Sequence, residues 1–173
     1  MAEESAAKAE MRGLMSDLSG EDDMGAVIRV HIRIEQLLQE LLRQLVVDAR
    51  QLKAMQLDFD KSVSLALALG LNDRLESPLR AMGKLRNAFA HKPQTTLDES
   101  RVRNLYETFD AQIKEIMQGV MADQKEEAKK LLGADTFDGL TPKRRFTFLA
   151  VTVWMVLYVD AAKLINSRSK KPA

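Results

Sequence analysis

Cysteine is absent from this 173-residue chain, and that one absence excludes disulfides, thiolate zinc sites and cysteine nucleophiles. It fits a reducing compartment, so a cytoplasmic protein is expected. Eight glycines and four prolines are too few for the tight turns of an all-β chain. Aromatic residues make up 5%, too sparse for a platform on which bases stack. A net charge of +1 gives no overall field to recruit nucleic acid or membrane. Gly-rich phosphate loops, HExxH pairs and nucleophile elbows are missing from the sequence. With two histidines and no cysteine, a zinc site would have to lean on carboxylates, so no metal and no cofactor are expected. The opening MAEESAAKAE has no apolar run and does not read as a secretory signal.

What remains is 46% apolar and 29% charged, the composition of one soluble helical domain with a sizeable core. Residues 1–19 form an Ala/Glu-rich N-terminal helix, flexible or loosely docked, carrying Met11, Leu14, Met15 and Leu18. A break at Ser19-Gly-Glu-Asp-Asp opens a single helical-bundle domain over 20–166. Asp22 to Val47 is its longest periodic segment, with Val27, Val30, Ile34, Leu37, Leu38, Leu41, Leu42 and Leu45 on the apolar side. His31 also falls on that side and reads as a hydrogen-bonded core residue rather than a ligand. A short turn at Arg50 to Met55 precedes Lys61 to Leu69, which Gly70 caps. Ser77-Pro78 reads as the capped start of the next helix, and Asp98 as the cap of a further one. That helix bears Val102, Leu105, Tyr106, Phe109, Ile113, Ile116 and Met117, is interrupted at Gly119, and leads into a charged piece ending at Gly133. Thr141-Pro142 opens the last helix. Its apolar run, Phe146 to Val159, is about 14 residues against the ~20 a membrane span needs, so a buried helix with Trp154 inside is expected. Residues 167–173 are a basic tail. An all-α bundle follows, with no membrane partner.

The stretch LRAMGKLRNAFAHK, Leu79 to Lys92, carries the one constellation with chemistry attached. Met82, Leu85 and Phe89 recur at helical spacing and define a buried stripe. Arg86, Asn87 and His91 lie beside it as candidate catalytic residues. Asn87 and His91 are four apart and share a face. Arg86 is five before His91, about 140° round an ideal helix. The two converge only if the helix end distorts, or if they meet across two chains. The plain alternative is a core helix ending in a histidine, where a cation suits the helix dipole.

The block Arg86 to His91 resembles the Arg-x(4–6)-His signature of HEPN domains, which are all-α modules. The wider layout resembles the mannitol operon repressor family, a branch of such domains. It is carried by the acidic entry Asp22-Asp23 into a Leu-rich helix through Leu45, by SLALALGL from Ser64 to Leu71, and by LRNAFAH from Leu85 to His91. The last apolar helix running into a Lys-rich tail adds to it, and the likeness covers most of Gly20 to Lys171.

The resemblance implies a HEPN-like bundle and one of two functions. The repressor branch implies a homodimeric, transcription-linked regulator that acts through a protein partner, without a DNA-binding motif of its own. Arg86 would then hold a carboxylate and His91 would cap carbonyls at the helix end. HEPN ribonucleases imply instead a metal-independent cleft built by two protomers, cleaving RNA through its 2′-OH. There His91 would move protons, Arg86 would stabilise the pentavalent phosphate and Asn87 would orient His91. The regulator is the leading expectation.

Overall fold

The centre of the molecule is α2, Asp23–Leu45, in a computed structural model that describes residues 2–92, 94–123, 134 and 136–169. Asp22 caps α2, its carboxylate accepting from Gly25 N at 2.6 Å. Its stripe of Val27, Val30, Ile34, Leu38, Leu41 and Leu42 is wholly buried, and Arg29, Arg33, Glu40 and Arg43 face out. The spacing places them so, because residues three and four apart stack on one side of a helix. Every regular element among the described residues is helical, so the chain is an all-α bundle.

Before α2 runs α1, Ala2–Gly20, packed against α2 and the last helix with Leu14, Met15 and Leu18 buried. After it come α3, Ala49–Met55, capped by Asp48, and α4, Phe59–Ala68, capped by Asp58. Gly70 ends α4 at φ +101°, where a side chain would be strained. Gly70 N donates to Leu67 O and Leu71 N to Ala66 O, the paired bonds of a Schellman cap.

The start of the next helix differs from expectation. Asn72, not Ser77, does the capping: it accepts from Arg74 N at 3.1 Å and opens a 3-10 turn, Asp73–Leu75. Leu75 is already in the right-handed helical region, so the chain passes directly into α5, Glu76–His91, without a side-chain cap. Pro78 is tolerated in that first turn, where its missing N–H has no helical acceptor.

The expected helix from Asp98 is two helices, α6, Glu99–Tyr106, and α7, Ala111–Asp123. The break falls at 107–110 rather than at Gly119. Thr108 Oγ1 donates to Leu105 O, and Asp110 restarts the chain by accepting from Ile113 N at 2.7 Å. Short polar side chains compete with the backbone ladder in this way. The restart turns Ile116 outward, to 55% exposure, off the stripe that Ile113 and Met117 keep. The charged piece ending at Gly133 lies outside the described residues.

Thr141 and Pro142 open α8, Pro142–Ser169, as the sequence implies; Arg144 N donates to the Thr141 hydroxyl. α8 packs on α2, α1 and α6, burying Phe146, Leu149, Val153 and Leu157, with Trp154 3% exposed. Val156, at the edge of that face, is half-buried and packs against the core. By length and composition alone α8 could cross a membrane, but its inner arc is the bundle's core, which is compatible with a soluble protein. It runs past Asn166 to Ser169, and Arg168 donates to Leu45 O and Leu69 O. Lower down, Asp160, 8% exposed, is held by Arg74 through contacts of 2.9–3.2 Å.

Candidate functional site

α5 presents two different surfaces. Leu79, Met82, Gly83 and Phe89 are buried and face α2 and α4. Gly83 is needed for that approach, since a Cβ there would sit 3.0 Å from Phe59 Cδ1. α5 runs antiparallel to α2. Asp23, at the start of α2, accepts from Leu97 N just beyond α5 at 2.8 Å, whereas Arg86 acts on His31 a third of the way along α2.

The helix stays regular to its end. His91 is its last residue, and Lys92 N donates to Ala88 O at 3.1 Å. No distortion draws Arg86 towards His91, so they remain about 140° and about 7.5 Å apart along the axis. Arg86 follows the stripe of Leu79, seven residues earlier, and emerges beside α2. His91 belongs to the outer stripe of Arg80, Lys84 and Asn87. All three candidate residues, Arg86, Asn87 and His91, are exposed.

Their partners differ from what the resemblance implies. Asn87 Oδ1 accepts from Arg86 at 3.0 Å, so Asn87 orients Arg86 rather than His91. Arg86 holds no carboxylate in an ion pair among the described residues. Among the described residues His91 caps nothing: the Ala88 carbonyl at the helix end is taken by Lys92 N and by Thr95 Oγ1. Among the described residues the exposed imidazole therefore has no hydrogen bond, and the guanidinium holds only its chain neighbour Asn87. A cleft of about 520 Å3 runs between α5 and α6, lined by Arg80, Lys84, Leu85, Arg101, Asn104 and others, but by none of the three. Arg80 and Arg101 are already committed there, to Glu76 and to Asp98 respectively.

His31 is 3% exposed, as expected of a core residue. The expected hydrogen bond is not what holds it. Its ring lies on Phe59, with centroids 4.4 Å apart, and Nδ1 is 4.0 Å from Glu35 Oε2, too long for a hydrogen bond. Burial, and then the Arg86 charge, lower its pKa from the usual 6.5 to about 4. His31 is thus neutral at pH 7, and the Arg86 charge is felt at this core position. Sequence reading missed this link, because Arg86 and His31 are far apart in the chain. It also passed over Ile28 and Ile32, which are four apart and set off the main stripe. Ile32 is 46% exposed.

Among the described residues, no group of three or more metal-ligating side chains comes together. Set against family models, curated proteins and solved structures, the chain matches none.

Proposed function

We propose that this chain is a transcription-linked regulator, a homodimeric helical interaction module resembling the mannitol operon repressor family. It acts through protein contacts in the cytoplasm, with no DNA-binding motif of its own. One observation carries the reading: Arg86 and His91 leave an uninterrupted helix on different sides, and the α5–α6 cleft beside them contains neither. Within a single copy Arg86 and His91 therefore do not converge on one phosphate. Exposed polar side chains on a rigid helix are instead what a contact surface offers.

A second reading, a metal-independent HEPN-type ribonuclease assembled by two copies, is favoured by the same exposed side chains. Side chains tied into the fold could not serve substrate, whereas Arg86 has no acid partner and His91 no hydrogen bond among the described residues.

The test incubates purified wild type and His91→Ala with mixed RNA in EDTA. The regulator predicts equal, background-level degradation by both. Cleavage by wild type that leaves 2′,3′-cyclic phosphate ends, and falls ~10²–10⁴-fold in His91→Ala, would establish the ribonuclease instead. Arg86→Lys should then fail as well, because a point charge does not replace a bidentate guanidinium on phosphate.

A further inference from the structure

We infer that a second copy of this chain docks on the outer face of α2 around Ile32, with the two α2 helices antiparallel. The inference rests on the homodimeric reading above and names the surface it uses. Ile32 is 46% exposed, Ile28 one turn before it is half-buried, and the strip they form is apolar. Glu35, 4.0 Å from His31, and Arg86, on the side of α5 that meets α2 and with its charge acting on His31, give this neighbourhood one acid and one base. Arg86 is bonded to Asn87 and has no acid partner among the described residues. Glu35 faces His31, which is uncharged at pH 7. Both side chains reach the surroundings of His31, yet they do not pair with each other within the chain.

Two opposite charges in one neighbourhood, offset along the helix, are self-complementary. A two-fold axis passing beside Ile32, perpendicular to α2, reverses the direction along the helix. It brings Arg86 of each copy to Glu35 of the other, and sets the two Ile32 side chains against one another. The face fits the size of such a contact. α2 is about 35 Å long, and with α5 beside it the face is about 20 Å wide. That gives about 700 Å2, close to the ~800 Å2 per partner of a specific interface.

The experiment measures the oligomeric state of the full chain by sedimentation equilibrium, with helicity and melting followed alongside. Wild type should dimerise, and Ile32→Glu should weaken the dimer about a hundredfold while staying folded, since the side chain lies at the surface. Ile116→Glu, on α7, should leave the dimer intact. Arg86→Glu and Glu35→Arg should each weaken it, and the double variant should restore it. In a chain without cysteine, Ile32→Cys should give an oxidised, covalent dimer. A dimer indifferent to Ile32→Glu that fails to cross-link through Ile32→Cys overturns this face while sparing the functional reading. A wild type monomeric at ~100 μM overturns both. Loss of the dimer in both single charge variants without recovery in the double variant overturns the antiparallel register.

Discussion

Acidification below about pH 6.5 should destabilise this protein through His31. In the folded chain His31 is 3% exposed, its ring lies on Phe59, and Arg86 opposes its charge; its pKa is lowered from 6.5 to about 4. In the unfolded chain it takes up its proton near the usual 6.5. Between those values the unfolded state binds more protons, so stability falls as pH falls. The contribution is whole above about pH 6.5 and gone below about pH 4. At about 1.4 kcal/mol per pH unit, the shift corresponds to about 3 kcal/mol. That is a large part of a typical stability of about 5–15 kcal/mol. Asp48, Asp58 and Asp98 have pKa values lowered from 3.8 by hydrogen bonds to Arg50, Lys61 and Arg101, so they act below this window. Urea unfolding at half-unit steps from pH 7 to pH 4.5 should show the slope in wild type. His31→Phe, which keeps an aromatic ring against Phe59, should lose it, and Arg86→Gln should reduce it by removing the second cause. Parallel pH profiles for wild type and His31→Phe would refute the reasoning.

Two further perturbations test the core. Val153→Asp should cost several kcal/mol by burying an unpaired charge where α8 meets the bundle, whereas Val156→Asp, half-buried at the edge of that face, should cost much less; denaturant midpoints compare them. Arg74→Ala should cost about 3–5 kcal/mol because it strands the Asp160 carboxylate, and adding Asp160→Leu should recover most of that, as read in a double-mutant cycle.

The sequence by itself determined the class of fold and most of its punctuation. Scarce glycine and proline and a 3.6-residue period pointed away from an all-β chain. Asp22, Asp98, Gly70 and Thr141-Pro142 mark helix ends because their chemistry acts on the nearest backbone groups and needs no distant partner. Where local signals competed, the choice was tertiary. Asn72 took the capping expected of Ser77, and Thr108 with Asp110 broke a helix whose apolar spacing read as continuous. Arg86, Asn87 and His91 were legible as a candidate site from residue type and spacing. Their partners were not, because the Arg86 charge reaches His31 from another helix and only the packing of α5 on α2 sets that proximity. The same packing left Ile32 uncovered and separated Arg86 from His91. A helix turns through a fixed angle per residue, and only a second chain can bring its two faces together.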